Sequence, residues 1–306
     1  MINSTEQIIQ STRFLESDGR VTCVCCGQES FNSSGYCSQC HAPIDLSQTA
    51  QNRGLPVNFV SVLGASGAGK TVFIGVLLDV LSKGVNGIQG LPTNSFSVAI
   101  QQHTIAALEA RRFPDKTSSE AEGWQWVHCE VKLAEKRKNC LDVVTPDFAG
   151  EAIAAELDHP GSHLAITSVI SQSKSIILLI DSLGIRDSGR DEDFFGMKMA
   201  SYILNLRSAK TKFNMKRKSK VPLAIVLTKS DSCPEAMEDP ERFATDNMPG
   251  FARFLERNFQ TYQFFASGVV GATAVMADHR GYIMEMPLHI EPRGVTEPLE
   301  WIIRQK

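Results

Sequence analysis

Residues 58–81 read Asn58-Phe59-Val60-Ser61-Val62-Leu63, then Gly64-Ala65-Ser66-Gly67-Ala68-Gly69-Lys70-Thr71, then an apolar helical stretch from Val72 to Leu81. A strand, a glycine-rich turn and a helix in immediate succession leave little freedom of architecture. The glycines let backbone N–H groups approach phosphate oxygens, and the new helix aims its positive end at them. Lys70 is then placed to reach the outer phosphates of a nucleoside triphosphate, and Thr71 to ligate Mg²⁺. Gly64, Ala65, Ser66, Gly67, Ala68, Gly69, Lys70 and Thr71 are thus the candidate phosphate cradle.

The chain has 306 residues, 42% of them hydrophobic, which suffices for one large domain and a small module. A net charge of −3 gives no global reason to bind nucleic acid. The run Met1-Ile2-Asn3-Ser4-Thr5-Glu6-Gln7 lacks a basic and then apolar leader, and the longest apolar run, Ile176 to Ile180, is too short to span a bilayer. The sequence therefore predicts a cytoplasmic protein with no membrane partner.

Five of the eight cysteines lie within residues 23–40. Cys23 with Cys26 and Cys37 with Cys40 make two C-x-x-C pairs, each able to fold as a knuckle with two thiolates aimed at one ion. That pattern predicts a Zn²⁺ site of Cys23, Cys26, Cys37 and Cys40, with Cys25 left out. The segment resembles a short zinc ribbon, which implies protein contact or bracing ahead of nucleic-acid binding. The polar run Ser47 to Asn52 reads as a linker. The expected organisation is an N-terminal segment (1–20), a ribbon (21–46), a linker (47–54) and a main domain (55–306).

Apolar spacing predicts a first helix over 70–83, ended by Gly84, and a second over 96–112. Residues 124–133 and 140–147 read as an antiparallel hairpin at one sheet edge. Buried strands follow at 175–181, 221–227 and 261–266, with helices at 193–210, 249–258 and 298–304 between and after them. The fold class is therefore α/β: a three-layer sandwich around a mainly parallel sheet with one antiparallel edge strand, preceded by the ribbon. Trp124 and Trp126 share a strand face, offered to a partner or buried under the second helix. Seven basic residues from Arg207 to Lys220 read as a solvated helix end and loop rather than a nucleic-acid patch.

Asp147-Phe148-Ala149-Gly150 ends a strand downstream of the phosphate loop, where Asp147 can hold Mg²⁺ through water and the Gly150 N–H can meet a γ-phosphate. Thr228-Lys229-Ser230-Asp231 closes another strand. A carboxylate at Asp231 can accept both donors of the guanine edge while the Lys229 stem covers the base; adenine offers no such donor pair, so the pattern selects GTP.

The order G-x-x-x-x-G-K-T, D-x-x-G, T-K-x-D resembles the translation-factor-related (TRAFC) class of P-loop GTPases, which includes the Ras-like domains, over residues 57 to about 272. The resemblance implies that Lys70 and Thr71 serve phosphate and Mg²⁺, Asp147 and Gly150 the second switch, and Thr228, Lys229 and Asp231 the guanine. Ser267 and Gly268 fall at the base-contacting loop, where a backbone N–H would meet guanine O6. Thr117 is the expected first-switch threonine on Mg²⁺ and γ-phosphate. Thr228 replaces the usual asparagine, which weakens loop bracing. Glu151 replaces a frequent water-orienting glutamine.

These readings predict a GTP/GDP switch acting on a protein partner, with slow unaided hydrolysis involving Lys70, Thr117, Gly150 and Glu151. TRAFC-type GTPases with amino-terminal ribbons resemble components of bacterial multi-protein systems, including defence systems. The alternatives are a non-hydrolysing nucleotide-bound scaffold and, less favoured, an ATPase or small-molecule kinase.

Overall fold

The computed structural model describes residues 19–31, 34–53, 57–85, 87–133, 140–208, 218–277 and 283–305. Its elements run β1 (Arg20–Thr22), β2 (Glu29–Phe31), α1 (Ile44–Arg53), β3 (Asn58–Gly64), α2 (Lys70–Lys83), β4 (Ile88–Pro92), α3 (Ser95–Glu109), β5 (Gln125–Leu133) and β6 (Cys140–Asp147). Then follow α4 (Gly150–Asp158), α5 (Leu164–Gln172), β7 (Ser175–Asp181), α6 (Ser182–Ser208), β8 (Leu223–Thr228), α7 (Pro234–Glu238), α8 (Pro240–Asn247), α9 (Pro249–Asn258), β9 (Tyr262–Ala266), β10 (Thr273–Ala277), β11 (Ile283–Pro287) and α10 (Glu297–Arg304).

The central seven-stranded sheet has the order β4-β5-β6-β3-β7-β8-β9. Only β5 runs against its neighbours; β6, β3, β7, β8 and β9 are parallel. The expected antiparallel strand is present but is not the edge, because β4 pairs along its outer side.

Alternation along the central strands divides the core in two. Ile176, Leu178 and Ile180 of β7 join Leu223, Ile225 and Leu227 of β8 on one face, under α4, α5, α6 and α9. Ile177, Leu179, Ala224 and Val226 point the other way, under α2, α3 and α10. Strands buried on both faces read as continuous apolar runs, as they do here. The helix at α6 starts directly after β7, eleven residues ahead of its predicted start, and bends at Ser188, whose φ of −153° and ψ of 54° break the helical path.

The N-terminal module packs onto the first face. Its cysteines share one buried cluster with Phe148, Ala152, Ile166 and Ile170, and the Gln172 side-chain amide donates to the Cys25 carbonyl. The expected linker is helix instead: residues 47–53 belong to α1, Leu46 and Ser47 are buried, and the Ser47 hydroxyl accepts the Val24 N–H at 3.1 Å. Polar composition conceals a helix that is anchored to the ribbon.

Trp124 and Trp126 are buried, but against Phe148 on the ribbon side, not beneath α3, whose Ile100 and Leu108 lie in the opposite cluster. Lys210, Lys212, Lys216 and Arg217 of the basic run lie outside the described residues, as does almost all of the expected 1–20 segment. Arg207 is structural: its guanidinium donates to the Ile170 and Ser173 carbonyls at the end of α5. No helix among the described residues is long and apolar enough to cross a membrane.

Candidate nucleotide site and metal sites

The turn from β3 into α2 needs left-handed backbone at Gly67 and Gly69, with φ of 81° and 79°, which side chains rarely tolerate. Lys70 opens α2 beneath this turn, 6% exposed, its ammonium donating to the Gly64 and Ala65 carbonyls at 3.1 and 2.9 Å. Burial pulls it down to about 8, although Asp147 and Glu151 oppose the shift.

Beside Lys70, the expected Mg²⁺ residues meet. Thr71 Oγ1, Thr117 Oγ1 and Asp147 Oδ2 form a triangle with each side 2.9 Å. Two threonine hydroxyls and a carboxylate oxygen gathered this closely are hard oxygen donors of the kind Mg²⁺ takes, directly or through a bound water. Asp147 Oδ1 is buried without a hydrogen-bond partner, so the donor set suits a hard divalent cation. Burial raises the Asp147 carboxyl; the two threonine hydroxyls and Lys70 oppose that shift. Among these residues Thr117 is the one that comes from the loop 110–120, and its hydroxyl joins the site by meeting Thr71, at the start of α2, and Asp147.

Gly150 begins α4 against the phosphate loop, where a Cβ would lie 2.3 Å from the Ser66 N atom. Only glycine permits that approach. Glu151 follows in the first turn and accepts the Ser66 hydroxyl at 2.6 Å, with Lys116 Nζ at 4.0 Å. The Ser66 hydrogen bond holds its carboxyl below the usual range, and it stays exposed.

At the far end of the cleft, Lys229 adopts φ 56° and its ammonium pairs with Asp181 Oδ2 at 2.5 Å. The Thr228 hydroxyl donates to the Ile180 carbonyl at 3.2 Å, tying the end of β8 to β7. Asp231 Oδ1 accepts the Ser232 N–H, and Oδ2 accepts those of Val269 and Val270, at 3.0–3.1 Å. Ser267 is buried beside it. One expectation fails: the Gly268 N–H is donated to the Arg293 carbonyl, in a bridge from the C-terminal segment, and is not left for guanine O6.

One open cleft of about 270 Å³ runs from Ser66, Gly69 and Lys70 to Lys229 and Asp231, with Thr117 and Glu285 on its walls, and Asp147 lines an adjoining cleft that also borders Thr71 and Thr117. Sequence reasoning missed Asp181 as the partner of Lys229. Its signal was present, a carboxylate at the end of an apolar strand run, but the partner lies 48 residues away.

In the ribbon, all four predicted sulfurs lie within 4.8 Å of one another. Cys23–Cys40 and Cys26–Cys37 are 3.6 Å apart, close to the roughly 3.8 Å edge of a tetrahedron with Zn–S near 2.3 Å. Burial would raise the Cys37 thiol, but the backbone groups of Gln39 and Cys40, with hydrogen bonds from Ser30 and Cys26, together bring it to about 7, while burial pushes its neighbour Cys26 up to about 11. Cys25 is buried and outside the cluster. The four cysteines fit a structural zinc module.

No curated protein matches the chain. Among solved structures it is similar to nucleolar GTP-binding protein 1 from Plasmodium falciparum, at 12% identity and a TM-score of 0.40, over 81% of this chain and 86% of that one. It is also similar to the signal recognition particle receptor SRb-GTP/SRX complex from Chaetomium thermophilum, at 15% identity and a TM-score of 0.36, over 70% of this chain and 91% of that one. The Saccharomyces cerevisiae Ski7 GTPase-like domain bound to GDP and inorganic phosphate shows 14% identity and a TM-score of 0.40, over 84% of this chain and 52% of that one. The profile of Double-GTPase 2 matches residues 58–278, the stretch that carries the phosphate loop, the threonine–aspartate triangle and the Asp231 loop, and the chain belongs to the Double-GTPase 2 family of P-loop GTPases.

Proposed function

We propose that the protein binds Mg²⁺ with GTP or GDP, hydrolyses GTP to GDP and phosphate slowly when unaided, and thereby controls contact with a protein partner. The triangle of Thr71, Thr117 and Asp147 carries this reading, because it joins the phosphate loop to two segments that a γ-phosphate can order. Lys70 would neutralise phosphate charge, and the Gly150 N–H would approach the γ-phosphate. Thr71, Thr117 and Asp147 would hold Mg²⁺, which would supply charge neutralisation at the phosphate oxygens.

The Asp231 carboxylate supports selection of guanine, with the Lys229 stem over the base. Motif order supports the TRAFC class, and the fused ribbon fits a component of a bacterial multi-protein system, defence systems included. The ribbon's shared core favours bracing over independent docking. Cytoplasmic placement accords with the sequence.

One observation favours a second reading, a nucleotide-bound scaffold that does not hydrolyse. Glu151 is tied to Ser66, so its carboxylate stands as a fixed negative charge near the phosphate loop. Turnover of GTP by wild type and Lys70→Ala separates the two readings: hydrolysis lost in the variant supports the switch, and tight binding without turnover in wild type supports the scaffold.

A further inference from the structure

Trp124 precedes β5 and is 2% exposed. Its indole N–H donates to the Ser118 carbonyl at 3.1 Å, one residue past Thr117. Its ring meets Phe148 edge-on, with centroids 4.8 Å apart and planes at 79°. Phe148 is wholly buried and sits between Asp147 and Gly150. On a further side the Trp124 ring lies 5.7 Å from that of His163, at the start of α5, the helix whose Gln172 holds the ribbon. A single rigid side chain therefore touches the segment of Thr117, the segment of Asp147 and Gly150, and the support of the zinc module.

The geometry points to Trp124 as a positioning residue that ties the Thr117 loop to the Asp147–Gly150 segment, so that both segments respond together to the γ-phosphate. The Ser118 carbonyl is one peptide from Thr117, and fixing it restricts where the Thr117 hydroxyl lies. Phe148 gives the opposite anchor: moving it moves Asp147 on one side and Gly150 on the other. An indole suits the task because it has a large apolar face and one directional donor. A misplacement of about 1 Å at such a site is enough to cost a large factor in function.

This inference rests on the Mg²⁺·GTP reading, and the test separates the two. Trp124→Phe keeps an aromatic ring and deletes the N–H; Trp124→Leu deletes both the aromatic contacts and the N–H. Affinity for GDP and for a non-hydrolysable GTP analogue is measured over a range of Mg²⁺, with thermal unfolding and tryptic cleavage at Lys116, an exposed lysine on the Thr117 loop. Trp124→Phe is expected to fold, to bind GDP as wild type does, and to bind the analogue about tenfold more weakly, the loss of one buried hydrogen bond. At saturating analogue, wild type should be protected at Lys116 and Trp124→Phe should not; Trp124→Leu should show neither protection nor preference for the analogue.

Protection and Mg²⁺ requirement unchanged in Trp124→Phe overturn the inference alone. A wild type indifferent to Mg²⁺ and to the γ-phosphate overturns this inference and the proposed function together.

Discussion

The Thr117 hydroxyl donates to Asp147 Oδ2 at 2.9 Å, and the same carboxylate oxygen accepts the Thr71 hydroxyl at 2.9 Å. Three segments far apart in sequence thus converge on one buried oxygen. If Mg²⁺ is held there, deleting one hydroxyl should cost mostly the form of the nucleotide that orders the Thr117 loop. Thr117→Val, which keeps shape, is expected to weaken binding of a GTP analogue about 10- to 100-fold, the scale of a hydrogen bond to a charged group. GDP binding should change far less. Titrations of both nucleotides at fixed Mg²⁺ check this.

Glu151 shapes the expected turnover. Its carboxylate accepts the Ser66 hydroxyl at 2.6 Å, which holds a negative charge against the loop that must receive phosphates. Glu151→Gln removes the charge and keeps the reach, and a neutral amide can orient water. Single-turnover hydrolysis should rise about tenfold, with tighter GTP binding, as expected when phosphate repulsion is relieved. A fall in rate would instead make the carboxylate itself the group that orients water.

Glu192 gives a pH-dependent prediction. Burial first, then the neighbouring Asp181, raise its carboxyl from 4.5 to about 7, against the pull of Lys229. Glu192 Oε2 has no hydrogen-bond partner. A carboxyl whose folded value lies above its unfolded value costs no stability below about pH 4.5 and its full penalty above about pH 7. Glu192→Gln should therefore stabilise the protein by about 1–2 kcal/mol at pH 8, after discounting for partial exposure, and by little at pH 5. Denaturant unfolding of both proteins at the two values measures it.

Much of this site was legible because its chemistry lies in short contiguous strings. The phosphate loop, Asp147-x-x-Gly150 and Thr228-Lys229-x-Asp231 each follow an apolar strand run; the structure brings the phosphate loop, Gly150 and Lys229 with Asp231 to one cleft, and Asp147 joins it through its hydrogen bonds with Thr71 and Thr117. The α2 helix, Lys70–Lys83, ends at Gly84, whose left-handed backbone (φ 69°) closes it, and both its apolar period and that glycine stop could be read in the string. What escaped was short or tertiary. The strand β4 is five residues carrying Gly90 and Pro92, too little pattern to distinguish from a loop. Helices α4 and α5 have nine residues each. The turn between them is held by buried Glu156, which accepts the Gly161 and His163 N–H groups at 2.7 Å, a tie between residues up to seven apart that no periodicity reveals. The occupied Gly268 N–H depends on Arg293; residues 288–295 read as an extra strand or loop packing on the sheet, but nothing in that string shows that it would bridge to Gly268.

The four-cysteine module shares its core with the main domain, so its unfolding is expected to be coupled to that domain's. Cys23, Cys37 and Cys40 are buried in the cluster that contains Trp126 and Phe148. Cys37→Ser, or a strong chelator, should remove one bound zinc per chain and lower the unfolding midpoint of the whole protein by about 5 °C or more, since metal binding is folding energy in such modules. Metal analysis with scanning calorimetry checks it. An unchanged main transition would mean that ribbon and nucleotide domain are energetically separate.

Guanine nucleotide is expected to bind in this cleft between Asp231 and the phosphate loop. Calorimetric titration of GTP and ATP into wild type and Asp231→Asn, with Mg²⁺, tests it most directly. Wild type should bind GTP at least about 100-fold more tightly than ATP, because two buried donors of guanine need a carboxylate acceptor. Asp231→Asn should lose most of that preference with ATP affinity unchanged. Equal affinities for GTP and ATP in wild type would rule out guanine selection by Asp231.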